Sequence, residues 1–209
     1  MLAAPPRPTQ RPLNASAGPS PGLFQAYNNR GLAFEAQRDY DRAIADYDKA
    51  LRLNSDLADT YSNRAVAYRA KGDFSKAIAD YEQAIRLNPE DAELFFNRGI
   101  AYAAMRNFEF AITDYSTAIA LRAEFAQAYA NRGHAYSVIG DHDRALPDLD
   151  TAIRLNPGHA NSHFLRGRVL WARGSIPEAI ADLKTCMRAA SDPQLRASAE
   201  KALLAIGAR

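Results

Sequence analysis

The sequence predicts an all-α solenoid: five helix-turn-helix repeats in tandem, closed at the C-terminal end by one more helix. Three observations predict it. The tripeptides Asn29-Arg30-Gly31, Asn63-Arg64-Ala65, Asn97-Arg98-Gly99 and Asn131-Arg132-Gly133 recur at steps of 34 residues, and Leu165-Arg166-Gly167 continues the series with one change. Two further series keep the step: Ala43, Ala77, Ala111, Ala145, Ala179, and Ala50, Ala84, Ala118, Ala152, Cys186. Each period also divides into two halves of helical spacing with a helix-starting residue between them. A fixed period of this length is the signature of a stacked array, in which no unit buries its apolar face alone.

Taken from the N-terminus, residues 1–23 are the first element. Pro5, Pro6, Pro8, Pro12, Pro19 and Pro21 are six of the eleven prolines, and the segment reads as an extended linker of Pro, Ala, Ser and Gly. It lacks the apolar centre of a secretory signal. Asn14-Ala15-Ser16 has the form of a glycosylation acceptor, a tripeptide common by chance. The expected compartment is the cytoplasm by default, or the periplasm if residues 1–23 remain after removal of a signal peptide.

The five units are 24–57, 58–91, 92–125, 126–159 and 160–193, with positions 1 to 34 counted from Phe24, Ala58, Ala92, Ala126 and Ala160. Large residues at positions 4 and 11 with a small one at 8 predict a first helix. Positions 17, 20, 24 and 27 repeat the pattern for a second. Position 16 is Asp39, Asp73, Asn107, Asp141 and Ser175, all residues suited to accept a free helical N–H. Pro177 suits a first turn, and Glu178 stands at capping-box spacing from Ser175. Asn54, Asn88 and Asn156 end second helices, with Pro89 and Pro157 as stops. Pro147 falls inside the second helix of unit four, where a local distortion is expected. Residues 194–209 are read as the capping segment, with Leu195, Ala199, Ala202, Leu203 and Ile206 as its apolar stripe.

The pattern resembles the tetratricopeptide repeat (TPR), matching its length and its small and large positions throughout 24–193. The resemblance implies antiparallel helix pairs in a right-handed superhelix, with first helices lining a concave face and second helices forming the convex back. It also implies binding of protein or peptide partners. All ten tyrosines fall at positions 4, 11, 17 or 24 and are read as core. Six aromatics stay outside that pattern: Phe24, Phe96, Phe110, Phe125, Phe164 and Trp171.

On a 100° helical wheel, the direction opposite positions 4, 8 and 11 holds positions 2, 6, 9 and 13, flanked by 5 and 12. Position 6 carries Asn29, Asn63, Asn97 and Asn131, then Leu165. One amide offers both a donor and an acceptor, the match for a peptide backbone. The row resembles the asparagine ladder with which some members of the family grip a bound peptide. Position 9 carries Leu32, Val66 and Ile100, then His134 and Arg168. Contiguous outward apolar residues mark a partner surface. Phe96 and Phe164 at position 5 and Trp171 at position 12 complete the candidate groove, apolar towards the N-terminus and mildly basic towards the C-terminus. Position 7 is arginine in every unit (Arg30, Arg64, Arg98, Arg132, Arg166) and position 23 aspartate in every unit (Asp46, Asp80, Asp114, Asp148, Asp182). These are expected to form a structural ion-pair ladder.

Several function classes lose ground. Of 26 basic and 24 acidic residues, Arg7 and Arg11 lie in the first 23, which hold no acid; the rest is balanced. A sequence-independent nucleic-acid binder needs a cationic surplus, so no nucleic-acid partner is expected. No stretch has the length and apolarity of a membrane span. One cysteine, Cys186, excludes a disulfide framework. His159 and His163 are four apart without a third ligand, and no phosphate loop or nucleophile elbow occurs. No metal, no cofactor and no catalysis are expected. The resemblance offers one specific carry-over that fails: members that clamp a chaperone's terminal carboxylate use lysine at position 5, and here that position is Asn28, Ser62, Phe96, Ala130 and Phe164. The expected function is a non-catalytic scaffold holding an extended segment of a partner protein in the groove. The alternative is a structural module associating through its ends or its convex face. A monomer or weak homo-oligomer is expected.

Overall fold

The computed structural model describes residues 22–207. Among them are eleven helices and no strand. Of the expected linker 1–23, residues 1–21, Asn14 among them, lie outside this range, and Leu23 already belongs to the first helix. Unit by unit the pairs are α1 (Leu23–Ala36) and α2 (Tyr40–Leu53), α3 (Ala58–Ala70) and α4 (Phe74–Leu87), α5 (Ala92–Ala104) and α6 (Phe108–Leu121), α7 (Ala126–Val138) and α8 (His142–Leu155), α9 (Ala160–Ala172) and α10 (Ile176–Ala189). A final helix, α11 (Pro193–Ile206), lies over α9 and α10. Each helix packs on its neighbours in sequence, and the pairs stack into a right-handed superhelix.

The packing follows from residue size. At position 8, Gly31 and Gly99 lie so close to Tyr47 and Tyr115 that a Cβ would meet the rings at 2.5 and 2.7 Å. Position 20 is alanine throughout and fully buried. The small faces let the helices of a pair approach, and the position 24 side chains Tyr47, Tyr81, Tyr115, Leu149 and Leu183 fill the crossing. At the C-terminal end, Ala199, Ala202 and Leu203 of α11 bury Leu183 and Cys186, with Leu195 and Ile206 packed at the edge.

The turn within each unit has a signature that the periodicity did not reveal. Position 15 has positive φ in all five units: Arg38 (60°), Gly72 (82°), Arg106 (63°), Gly140 (84°) and Gly174 (81°). Asp39, Asp73 and Asp141 then accept the backbone N–H three residues on. Asn107 and Ser175 make no such bond, so the capping box from Ser175 to Glu178 is not formed. In α10, Pro177 has already removed one of the free N–H groups a cap would serve. Two caps were missed: Asp91 and Asp192 accept from Glu93 N and Gln194 N at the starts of α5 and α11. The distortion expected at Pro147 is not seen; α8 runs unbroken from His142 to Leu155. The proline is close enough to the start that only the bond to the Asp143 carbonyl is lost.

Candidate functional site

Successive first helices touch along one side of the stack, α1 with α3, α5 with α7 and α7 with α9, while no two second helices approach to that degree. The first helices therefore line the inner, concave side. At position 9, Leu32 stays 41% exposed, Val66 and Ile100 are half-buried, and His134 and Arg168 are exposed. Ala36, Ala70, Ala104, Val138 and Ala172 at position 13 are exposed beside them, and Trp171 is 38% exposed.

Position 6 differs from the expectation. Asn29 is exposed, but Asn63, Asn97 and Asn131 are half-buried and Leu165 is only 8% exposed, packed with Tyr136, Leu149 and Val169. The reason is that each first helix after α1 has two packed sectors. One faces its own second helix. The other, through positions 3, 6 and 10, faces the preceding unit, as buried Thr60, Leu94, Ala67, Ala101 and Val169 show. A wheel with one packed face turns position 6 too far outward. The amides accordingly have local work: Asn63 Nδ2 donates to Asn28 Oδ1 at 3.2 Å, which also accepts from Thr60 Oγ1 at 3.0 Å. Burial pushes the Tyr115 phenol up, and the Asn131 amide opposes that shift.

Phe96 and Phe164 also need correction as groove walls. Phe96 packs 4.7 Å from Phe125 and 5.9 Å from Tyr115, ring centre to ring centre, in the junction between units three and four. Phe164 packs into the cluster under α11. Position 5 lies beside the packed sector, so a large ring there is drawn into the junction.

At the C-terminal end of the trough, His134 keeps much of its area open to solvent yet sits among crowded heavy atoms. That crowding, and then the Arg168 charge, push its imidazole below the usual range. Near neutral pH it is an uncharged donor and acceptor beside a cation. Position 12 is a feature that sequence reasoning missed outside Trp171. Glu35 accepts from the Tyr47 hydroxyl at 2.9 Å. Arg69 Nε and the Tyr81 hydroxyl lie buried beside each other without a well-formed hydrogen bond. Burial raises the Tyr81 phenol to about 12, with Arg69 pulling the other way.

Position 7 and position 23 meet within every unit. Arg30–Asp46 pairs at 2.5 and 2.8 Å, Arg64–Asp80 at 2.7 and 2.6 Å, and Arg98–Asp114 at 2.9 and 2.7 Å. Arg132–Asp148 and Arg166–Asp182 each pair at 2.7 and 2.8 Å. The third guanidinium nitrogen reaches back to the preceding unit: Arg64 to Asp48 at 2.5 Å, Arg132 to Ser116 at 2.9 Å, Arg166 to Asp150 at 2.7 Å. The ladder thus joins units as well as helices.

Chemistry elsewhere is quiet. His163 meets Asp182 Oδ1 at 2.9 Å and the Pro157 carbonyl at 3.0 Å, and His159 meets Ser162 Oγ at 2.7 Å. No group of three metal-ligating side chains converges among the described residues. Cys186 is buried, which pushes its thiol up and away from thiolate reactivity. No helix among the described residues is long and apolar enough to cross a membrane.

Comparisons with known proteins agree with the geometry. Family models described as tetratricopeptide or TPR repeats match residues 24–57, 66–105 and 130–192, together about two thirds of the chain. A search of curated proteins returned no match. Among solved structures, MamA is similar at 25% identity and a TM-score of 0.74, over 81% of this chain and 93% of that one. YrrB, described as a TPR protein with an unusual peptide-binding site, is similar at 25% identity and 0.69, over 84% and 90%. A thermophilic TPR protein of Thermus thermophilus is similar at 21% identity and 0.69, over 87% and 99%. Proteins of this fold are typically non-catalytic scaffolds for protein–protein interaction. With its 34-residue period, its stacked helix pairs and three matching repeat models, the chain belongs to the tetratricopeptide repeat family.

Proposed function

We propose that the protein is a non-catalytic scaffold that holds an extended segment of a partner protein along the concave trough. The observation that carries this reading is the position 9 row: Leu32, Val66 and Ile100 stand on the inner side of the stack, followed by His134 and Arg168. Helices pack roughly 8–10 Å apart, and an extended chain advances about 3.3–3.6 Å per residue. Successive units would therefore meet about every third ligand residue. The amides of Asn29, Asn63, Asn97 and Asn131 contribute backbone hydrogen bonds worth about 0.5–1.5 kcal/mol each. Part of that capacity is used internally, since Asn63 already bonds Asn28. The amides alone fall short of micromolar binding, which requires about 8 kcal/mol. Burying two side chains on Leu32, Val66 or Ile100, at about 1.5–3 kcal/mol each, supplies much of the rest. The ligand that fits has apolar residues over units one to three and an acidic group over Arg168. The described peptide-binding site of YrrB supports the reading by analogy.

The test is a photo-reactive residue placed at Ile100 on the trough and, separately, at Phe110 on the outer surface. Cross-linking in the native cell should capture a partner from position 100 and not from 110. Equal capture from both, or capture from 110 alone, rejects the trough.

A second reading has its own observation. Ala26, Asn29 and Ala33 form on α1 the sector that later units bury against a neighbour, and no described residue covers it. Self-association through that end predicts light scattering that rises with concentration. A constant monomer mass removes it.

A further inference from the structure

Unit five breaks a rule that units one to four keep. In units one to three the position 7 arginine lies against aromatic rings at positions 4 and 11, in unit four against the position 4 ring alone, and in all four position 11 is aromatic. Arg30 lies 5.5 and 6.0 Å from the centres of Tyr27 and Phe34, Arg64 5.6 and 5.9 Å from Tyr61 and Tyr68, and Arg98 5.7 and 5.9 Å from Phe95 and Tyr102. Arg132 lies 5.6 Å from Tyr129. The position 11 ring is then covered from position 19: Arg42 sits 4.5 Å from Phe34, Lys76 5.3 Å from Tyr68, Arg144 4.5 Å from Tyr136, and Phe110 stacks on Tyr102 at 5.2 Å. In three of the four the cover is a cation.

In unit five the ring is replaced by Leu170 and the cover by Glu178, while Arg166 keeps its place. What remains is an open groove of about 380 Å³ between α8, α9 and α10, walled by Leu146, Leu170 and Ala181, with Arg166, Asp150 and Glu178 at its polar margin. Its volume lies within the range of small ligand sites, roughly 300–1,000 Å³. The missing ring and the missing cation are adjacent, and the side of the groove where units one, two and four place a positive charge is here acidic.

We propose that this groove receives an aromatic side chain of a partner protein, carried next to a lysine or arginine. The ring takes the place of the absent position 11 aromatic, against Leu146 and Leu170 and beside the Arg166 guanidinium. The neighbouring cation meets Glu178, which is exposed; Asp150 beside it is already paired with Arg166 at 2.7 Å. Residues 1–21 of this chain contain no aromatic residue and so cannot supply the ring. The surface is separate from the concave trough, and each assignment stands or falls without the other.

The test uses the full chain, isotopically labelled, with acetyl-Lys-Tyr-Lys-amide as probe and the amide resonances of Leu170, Glu178 and Ala181 as readout. Saturable shifts at these residues are expected in the millimolar range. Acetyl-Lys-Ala-Lys-amide and acetyl-Glu-Tyr-Glu-amide should each bind at least about fivefold more weakly. Leu170→Tyr restores the ring found in other units; it should abolish the shifts while the thermal midpoint holds or rises, which separates a filled groove from a failed fold. Equal binding of the alanine peptide, unchanged binding by Leu170→Tyr, shifts centred on Ile100 or Trp171 instead, or no shift at about 10 mM peptide would each overturn the proposal. Shifts at the same three residues that grow with protein concentration alone would reassign the groove to a second copy of the chain, and overturn it as stated.

Discussion

Units one and three carry the same arginine–aspartate pair, and its protonation leans in opposite directions. Arg30 is 55% exposed over Asp46, whereas Arg98 is 18% exposed over Asp114. The Arg30 hydrogen bond holds the Asp46 carboxyl below the usual range. For Asp114 burial dominates and pushes the carboxyl up, against the pull of Arg98. The difference is the preceding unit. Unit three has α4 against it, with Glu82 adding a like charge; unit one has no described neighbour on that side. A repeat protein's energetics therefore belong to its junctions as much as to its units, and identical residues test this because only their surroundings differ.

The largest effect should come from one substitution made at two equivalent places. Ala67 and Ala33 both occupy position 10; Ala67 is fully buried against unit one, and Ala33 is exposed. Ala67→Asp puts an unpaired carboxylate into a packed junction and should cost more than about 4 kcal/mol in denaturant unfolding. Ala33→Asp should stay within about 0.5 kcal/mol. Similar losses at both would mean that unit one is covered in solution. Next in size, Asp46→Asn removes a carboxylate whose charged form the Arg30 hydrogen bond favours, a loss of about 1–2 kcal/mol. Asp114→Asn should cost clearly less, because burial already disfavours the Asp114 charge; a larger loss there would mean that the buried Arg98 depends on that charge.

The same contrast explains what was legible in the sequence. The period, the helix pairs and the meeting of positions 7 and 23 depend on contacts within one unit, which a repeated spacing displays directly. The fate of position 6 depends on the preceding unit. Asn63 reads as an outward amide on a single-face wheel and proves half-buried beside Asn28; Phe96 and Phe164 slide into junctions for the same reason. Position 9 lies at the margin of the packed sectors: Leu32, His134 and Arg168 are exposed, while Val66 and Ile100 are half-buried. The vacancy at Leu170 was readable in principle, as a non-aromatic at position 11, but only the structure puts Arg166 and Glu178 on either side of it.

Acid should act unevenly along the stack. An aspartate held below its unfolded value of about 3.9 gives stability present above that value and lost as pH falls through the lower folded one. That is Asp46, and also the caps Asp39, Asp73 and Asp141, each lowered by a hydrogen bond from the residue three positions on. Asp114 has the reverse sign: its contribution is fully present below the unfolded value and is lost as pH rises through the raised folded one. Between about pH 5 and 2, hydrogen exchange in α1 and α2 should accelerate relative to α5 and α6. Uniform acceleration would mean that the two pairs are equivalent.

The smallest expected effect concerns the turns. Arg38 in unit one adopts φ 60°, where unit two has Gly72 at 82°. A side chain in the left-handed region costs about 1–2 kcal/mol. Glycine removes that cost but loses about 0.5–1 kcal/mol of unfolded-state entropy. Arg38→Gly should therefore stabilise by about 0.5 kcal/mol, a rise of about 1–2 °C in Tm for a chain of this size. Gly72→Arg should lower stability by a similar amount, since nothing lies within 4 Å of a Cβ there and only the backbone is strained. Because the turn is local to each unit, the two changes should mirror each other despite their different neighbours. A large asymmetry would show that even this turn feels the junction.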